Sequence, residues 1–534
     1  MKILVLNSGS SSQKACLYEI GATLPMHPPA PLWEGRIEWS VDTAAITVKN
    51  SQGVVLKEEL PVSSREQVIG HLLRTLRDGK ARVIASASEI DVVGHRVVHG
   101  GPHFDAPVTI TPEVRSAIES VSAFAPLHIR AELEGMKLVE KLRGEVPQMA
   151  VFDTGFHRQM PLSAAIYPGP YEWFVNGIRR YGFHGINHQY CSERTAQLLG
   201  KDPKSLKLVT CHLGNGCSVA AIHGGRSVDT TMGFTPLEGL MMGTRSGSVD
   251  PGILTFLIRQ GQLDGQDIDK VLNQKSGLLG ISGLSSDMRG ILAGIQKGHE
   301  RAKLAFDIYV HRLRAAIGGM AAVLGGIDAL VFTAGVGENS PEVRAAASSG
   351  LEFLGLKLDG KANARPSLDG DISTGDSRVR VLVIRAEEDW AIAKECWKLA
   401  RASAPSRTTK ASVAQKESLR LGERADRAFT KSNNKDRASM SDVLPVLYVA
   451  RHGETAWSLS GQHTGLTDLP LTPNGERNAR RLGERLKGMT FAKVFTSPLQ
   501  RATRTCELAG FGAVAETDPD LVEWNYGQYE GRRS

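Results

Sequence analysis

Along the first 400 or so residues, short apolar runs alternate with polar turns, and two of these units share one design. KILVLN (residues 2–7) runs through SGSSSQ into KACLYEI (residues 14–20), and KLVTCHL (residues 207–213) runs through Gly214, Asn215 and Gly216 into CSVAAIH (residues 217–223). Runs of this length, rich in β-branched residues, predict strands, and the glycine turn supplies the positive φ values that a tight connection needs. A turn without side chains also lets backbone amides approach a polyphosphate closely. Two such units roughly 200 residues apart predict a duplicated α/β fold in which each half offers one phosphate loop to a shared cleft.

The pattern between the hairpins supports this. WEGRIEWSVDTAAITVKN and VVLKEEL read as antiparallel strands extending the first sheet, and residues 65–79 as an amphipathic helix. IDVVGHRVVHGG (residues 90–101) and VPQMAVFDTGFH (residues 146–157) are apolar strands with polar tips, the second delivering Asp153, and α/β sheets bind ligands at such carboxyl ends. YGFHGINHQYCSERTAQLLG places a histidine loop before a helix, and GISGLSSDMRG reads as a loop. Phe306, Val310, Leu313, Ile317, Met320 and Leu324 keep helical spacing up to Gly325-Gly326. ALVFTAGVGENS predicts a strand and a glycine turn, and residues 379–400 a strand, an acidic turn and a helix. Residues 401–442 hold almost no large apolar side chain and predict a flexible linker. PVLYVARHGET then restarts a strand, so a separate domain is expected from near Val443.

Composition narrows the function classes. The chain has 534 residues, 41% of them hydrophobic and 23% charged, a globular balance with room for about three or four domains. Its formal charge of +7 is concentrated in residues 401–443, which carry ten Lys or Arg against five Asp or Glu, so the remainder is close to neutral and argues against a nucleic-acid partner. Six cysteines with no CxxC pair fit a reducing cytoplasm without zinc or a disulfide framework. The first apolar run is too short for a signal peptide. Residues 315–336, the most apolar stretch, contain two Gly-Gly pairs and Asp328, which suits a buried helix, a turn and a strand better than a membrane span.

NSGSSSQK (residues 7–14), GHRVVHGG (94–101), FDTGFH (152–157), YGFHG (181–185), HLGNG (212–216), TPLEGLMMGTRSG (235–247), SSDMRG (285–290), FTAGVGENS (332–340) and AEED (386–389) occur in this order. Together they resemble the acetate kinase family over residues 1–402. The resemblance implies a duplicated RNase H-like fold, that of the acetate and sugar kinase/Hsc70/actin group. Residues 1–153 with 386–402 would form one kinase domain and 154–385 the other, around an ATP cleft in a homodimer. It implies direct in-line transfer between ATP and acetate, giving ADP and acetyl phosphate, with Mg²⁺ or Mn²⁺. Propionate or another short-chain carboxylate is the alternative substrate, since a pocket discriminates one methylene by only about 1–3 kcal/mol. A sugar kinase and a nucleotide-dependent chaperone-like protein are the rivals.

Residue by residue, the resemblance makes Arg96 and Arg245 donors flanking the carboxylate and the phosphoryl group, Asp153 the active-site carboxylate and His184 a donor to the phosphoryl oxygens. Val98, Leu127, Phe183 and Pro236 would enclose the methyl group. Lys14, His212, Leu213, Gly214, Asn215, Gly216, Asp287, Met288 and Arg289 would contact the nucleotide, with Gly335, Val336, Gly337, Glu338 and Asn339 as its second loop. Asn7 and Glu387 would hold the metal, with Glu388 beside it as the alternative. APLHIRAE (residues 125–132) departs from the family pattern but keeps His128.

Beyond the linker, ARHGETAWSLSGQHTG, SPLQRATRT and LVEWNYGQYEG resemble the histidine phosphatase superfamily, phosphoglycerate mutase-like. That resemblance implies a phosphate-accepting His452, a clamp of Arg451 and Arg501, and Glu523 as general acid. Residues 443–534 span about half such a domain without its second catalytic histidine, so this α/β segment is expected to be inactive in this chain.

Overall fold

The computed structural model describes residues 1–9, 12–40, 42–62, 64–143, 146–367, 369–403, 448–460, 462–523, 525–527 and 530–532; side chains at 123, 126, 127, 142, 143 and 403 are also outside the description. The linker expectation therefore falls almost wholly outside the described residues. The chain divides into two compact units, residues 1–422 and 423–534.

The first unit carries two sheets. In the first, β1 (Lys2–Ser8), β2 (Ser12–Glu19), β3 (Trp33–Trp39), β4 (Thr43–Asn50) and β5 (Val55–Pro61) form an antiparallel meander, and β6 (Val92–Val97) and β8 (Gln148–Phe152) continue parallel to β1, with β7 (Val108–Thr109) at the edge. In the second, β9 (Lys207–Leu213), β10 (Cys217–His223) and β11 (Arg226–Thr230) form a meander. Strands β12 (Ala329–Thr333) and β14 (Arg380–Val383) run parallel to β9, and β13 (Gly370–Asp371) closes that edge. The orders β3-β2-β1-β6-β8 and β11-β10-β9-β12-β14 are the same, which is the duplication the two hairpins predicted.

Both central strands are buried on both faces because their apolar residues fill odd and even positions alike. Leu4 and Leu6 pack with helices Arg65–Arg74 and Pro126–Arg143, while Ile3 and Val5 pack with Ile186 and Tyr190 of helix Gly185–Leu199 and Trp390 and Ile392 of helix Glu388–Ser403. On β9, Val209, Cys211 and Leu213 face the core built on the long helix Glu300–Leu324, which Gly325 ends at φ 64°. Leu208 and Thr210 lie on the opposite side, with Leu208 packed near Ala196 and Leu199.

Three elements differ from the sequence reading. GISGLSSDMRG is not a loop: it contains helix Gly277–Ser282 and the start of helix Met288–Gln296, whose N-cap Asp287 accepts from the Arg289 amide. The glycines after β12 form helix Ala334–Asn339 rather than a turn. Its last carbonyls are bonded by the buried Arg344, which donates to Gly337 O and Glu338 O at 2.8 and 2.9 Å, a tertiary bond that local glycine content does not announce. In the second unit, residues 448–454 form no strand. An apolar run becomes a strand only where another strand supplies its ladder bonds, and the described strands there, β15 (Val494–Thr496) and β16 (Ala515–Thr517), pair with each other.

Candidate active site

Strand alternation and helix periodicity build the centre of the first unit. Thr210 and His212 on β9 share a face, and the antiparallel register places Ser218 of β10 opposite His212. Against that face stands the first turn of helix Gly185–Leu199, where His184, Asn187 and His188 are three and four residues apart and so project together. His188 hydrogen-bonds Thr210 Oγ1 and Ser218 Oγ, each at 2.7 Å; His184 Nδ1 lies 2.9 Å from Ser218 Oγ; Asn187 Nδ2 lies 2.8 Å from His212 Nδ1. The His184 and His212 rings stack with centroids 3.9 Å apart and planes 10° from parallel. Burial above all, then the neighbouring imidazoles and Arg96 and Arg245, pushes the His184 pKa well below its ordinary value, so the ring is neutral at pH 7.

The carboxyl end of β8 delivers Asp153 to the same place. Asp153 is fully buried; its Oδ2 accepts from Arg96 Nη2 at 2.8 Å and from the His184 backbone N–H at 2.9 Å. Burial works against the charge on Arg96, but Asp153, Glu388 and Glu132 outweigh it. Asp153 Oδ1 and Arg96 Nε are buried without a hydrogen-bond partner among the described residues. Buried polar atoms rarely stay unpaired, so these two are available to a polar ligand. Glu132, also buried, accepts from the Val98 amide at 3.0 Å, and burial pushes its carboxyl up to about 8.

Arg245 enters from the loop after β11. It donates to Pro236 O at 2.6 Å and has no carboxylate partner among the described residues, and burial lowers its pKa. A β-carbon at Gly216 would fall 2.7 Å from its Nη2 and 3.4 Å from His184 Nε2. The bare turn thus makes room for the arginine and the histidine together. A β-carbon at Gly243 would fall 2.4 Å from Asn215 Oδ1 and 2.8 Å from Ser286 O, and one at Gly214 would touch Ala334 Cβ at 3.9 Å. Leu213 to Gly216, the segment leading into Asp287, Met288 and Arg289, and the helix carrying Gly335 to Asn339 therefore meet around one turn. Arg289 and Asp287 pair at 2.5 Å on the surface. Met288 is buried, and Glu338 Oε1 accepts from the Ala386 amide at 2.8 Å. Lys14 stands opposite Asn7 in the β1–β2 register, exposed.

Of the acidic run, the structure brings Glu388 rather than Glu387 to Asn7. Asn7 Nδ2 donates to Glu388 Oε2 at 3.3 Å and to Asp389 Oδ1 at 2.9 Å, whereas Glu387 pairs with Arg385 at 3.2 Å. The reason is helical phase. Helix Glu388–Ser403 begins one residue later than Glu387, and its first residue turns inward. Burial opposes ionisation of Glu388, but His212, Arg96, Lys14 and Asn7 hold its carboxyl below the ordinary value. Asn7 and Glu388 form a hard-oxygen donor set of the kind Mg²⁺ prefers. Among the described residues no group of three or more His, Cys, Asp or Glu is placed to hold a metal by itself, which is compatible with a cation completed by phosphate and water.

Val98 and Phe183 are buried in one apolar cluster, and Pro236 is tied to Arg245. Leu127 lies in helix Pro126–Arg143, but its side chain is outside the described residues. His128, one residue on, is held down to about 4 by burial with Arg96 and Arg245 nearby. Sequence reading overlooked Asn187, His188, Thr210, Ser218 and Glu132, although the HGINH spacing facing an alternating strand carried a signal for the first four.

In the second unit, Arg501 is buried and donates to Thr467 O and Gly465 O at 2.8 and 2.7 Å. His452 Nδ1 bonds Gly453 O at 2.8 Å. Burial first, then Arg501 and Arg451, lower the pKa of His452 against the opposing pull of Glu523. The four residues expected from the sequence are near one another.

A profile of the Acetokinase family matches residues 2–394, and one of the Histidine phosphatase superfamily (branch 1) matches residues 447–534. The acetate kinase of Cyanothece sp. is 57% identical over 408 residues, which cover 76% of this chain and 100% of that protein. Among solved structures, Porphyromonas gingivalis acetate kinase is similar with a TM-score of 0.69 at 41% identity, covering 75% of this chain and 99% of its own. A propionate kinase from Francisella tularensis matches with a TM-score of 0.68 at 37% identity, over 74% and 99% of the two chains.

Proposed function

The chain belongs to the acetokinase family and carries its activity, reversible phosphoryl transfer between ATP and acetate; from that premise we propose how its residues divide the work. Arg245 carries the reading. It is a half-buried guanidinium with no carboxylate partner among the described residues, set against the Gly216 turn and beside His184. A cation kept unpaired in a desolvated cleft is preorganised for an anion, and phosphoryl transfer asks chiefly for positioning and charge neutralisation.

Arg96, fixed by Asp153, would take the carboxylate, with Val98, Phe183 and Pro236 around the methyl group and Leu127 as a further wall. Arg245 and His184 would donate to the equatorial oxygens of the phosphoryl group in flight. The turn from Leu213 to Gly216 with His212, the Asp287–Arg289 segment and the helix from Gly335 to Asn339 would border the nucleotide, with Lys14 contributing charge from β2. Asn7 and Glu388 would hold Mg²⁺ or Mn²⁺, which neutralises polyphosphate charge when bound. Residues 1–153 with 386–402 would act as one kinase domain and 154–385 as the other, since helix Glu388–Ser403 packs on the first sheet. We assign the protein to the cytoplasm, where its six unpaired cysteines would stay reduced. Among the described residues no helix is long and apolar enough to cross a membrane.

ADP formation measured with acetate, propionate, butyrate and glucose tests the substrate. Acetate should give the highest kcat/KM, propionate a lower one and glucose none; glucose-dependent turnover without carboxylate-dependent turnover would overturn the reading.

A further inference from the structure

Thr210, Ser218, His188 and His184 form one continuous hydrogen-bonded chain, at 2.7, 2.7 and 2.9 Å, that ends in the cleft. Thr210, Ser218 and His188 are fully buried. Each hydroxyl brings a single proton, and each neutral imidazole one N–H and one bare nitrogen, so the direction of the chain is collective.

Four directions are conceivable, since each imidazole has two tautomers. If His184 donated from Nδ1 to Ser218, Ser218 to His188 and His188 to Thr210, the Thr210 proton would have no acceptor among the described residues. If both histidines donated to Ser218, the serine proton would have none. If His188 donated from Nδ1 to Thr210 while His184 Nδ1 stayed bare, the Thr210 proton would have no acceptor among the described residues and one of the two nitrogens facing Ser218 no donor. Only one direction spends every buried proton: Thr210 O–H to His188 Nδ1, His188 Nε2–H to Ser218 Oγ, and Ser218 O–H to His184 Nδ1. A buried hydroxyl left without an acceptor bears its full desolvation cost, so this direction is selected.

We propose that Thr210, His188 and Ser218 are positioning residues that hold His184 in the tautomer bearing its proton on Nε2, the nitrogen that faces Gly216 and Arg245. The neighbouring ring follows the same rule. His212 Nδ1 accepts from Asn187 Nδ2 at 2.8 Å, so its proton also resides on Nε2. The two stacked rings, 3.9 Å apart, thus each carry a neutral N–H on Nε2, beside Gly216 for His184 and beside Gly214 for His212. A neutral donor fixed before the substrate arrives needs no reorganisation as charge develops on the phosphoryl oxygens. The opposite tautomer would meet those oxygens with a lone pair.

This inference rests on the kinase reading for its catalytic consequence, but the tautomer itself is read without turnover. Full-length protein with ¹⁵N-labelled histidine is examined by long-range ¹H–¹⁵N correlation, with His184→Gln and His188→Gln used to assign the signals. The expected result is a protonated Nε2 and a bare Nδ1 on His184, and the same on His188. Thr210→Val, nearly isosteric, removes the proton that starts the chain, and Ser218→Ala breaks its middle. Each should turn the His184 signals into a tautomer mixture and lower kcat by roughly 10- to 100-fold, the scale seen when an orienting partner is lost. KM for ATP should change little. Thr210→Ser should restore both the signal and kcat, which a general packing defect would not allow, and thermal unfolding checks that each variant is folded. His184 protonated at Nδ1 in the parent protein, or Thr210→Val and Ser218→Ala proteins that keep both tautomer and kcat, would overturn the proposal. Loss of carboxylate-dependent turnover in the parent protein would overturn the kinase reading instead and leave the tautomer result standing.

Discussion

The residue at which the site turns is His184, held at φ 59° although it is not glycine. A left-handed conformation is disfavoured for a side chain of this size, and here it is tied down by the bonds from His184 N and Gly185 N to Asp153. Strain of this kind persists only where the surroundings over-determine it, and it places the imidazole between the Ser218 chain and the cleft. The two arginines differ in how they are held. Arg96 is locked by Asp153, and Arg245 is held, among the described residues, by a backbone carbonyl alone. Replacing either with Ala should lower kcat by about 10²-fold or more while nucleotide affinity changes little, because the donor acts on charge that appears during transfer. Steady-state kinetics with a separate ADP-binding titration checks this. The metal assignment separates two adjacent residues: Glu388→Ala should raise the Mg²⁺ requirement at least about tenfold, a scale known for perturbed metal environments. Glu387→Ala should leave it nearly unchanged, and a MgCl₂ titration of initial rates distinguishes them.

Among the elements, helix Pro251–Arg259 stands out because none of its residues is buried while Ile253, Phe256 and Ile258 are 50–56% exposed. An exposed apolar helix of this kind calls for a partner surface. The family resemblance implies a homodimer, and we propose that this face contacts a second copy of the chain. Phe256→Glu should then convert the protein to a monomer in size-exclusion chromatography with light scattering; an unchanged mass would remove the helix from the interface. The other instructive element is the β9–β10 hairpin. Its outer face is apolar and packs on helix Glu300–Leu324, and its inner face carries Thr210, His212 and Ser218, so one strand pair serves core and chemistry through the alternation of its side chains.

At the scale of the whole molecule, the chain joins a kinase unit to a segment similar to the histidine phosphatase superfamily. Residues 443–534 contain two histidines, His452 and His463, and the ring of His463 stacks on Tyr526 at 4.8 Å. A phosphoryl group bound to His452 needs several donors around it and a proton source for the leaving group. Arg451 and Arg501 supply part of the first, with Arg501 already engaged by two backbone carbonyls. The 534-residue chain should therefore show no turnover of sugar bisphosphates or an aryl phosphate above that of its His452→Ala variant. Carboxylate kinase activity should be the same in both. Turnover abolished by the substitution would show that the segment is a working phosphatase.

The apolar periodicity and the two hairpins by themselves determined that the first unit is a duplicated α/β fold, because strand alternation and helix spacing are local properties that any stable packing of these segments has to satisfy. The ordered motifs determined the reaction and named Arg96, Asp153, His184 and Arg245. Tertiary structure alone decided that Glu388 and not Glu387 meets Asn7, since that depends on the residue at which a helix begins its first turn, about 380 positions from Asn7. It also decided that the glycines after β12 form a helix, through the bonds from Arg344, and that residues 448–454 form no strand, through the partner a strand requires. Which nitrogen of His184 bears the proton is the furthest of these from the sequence, because it is settled by the count of donors and acceptors along a chain of four buried side chains that meet only in the folded molecule.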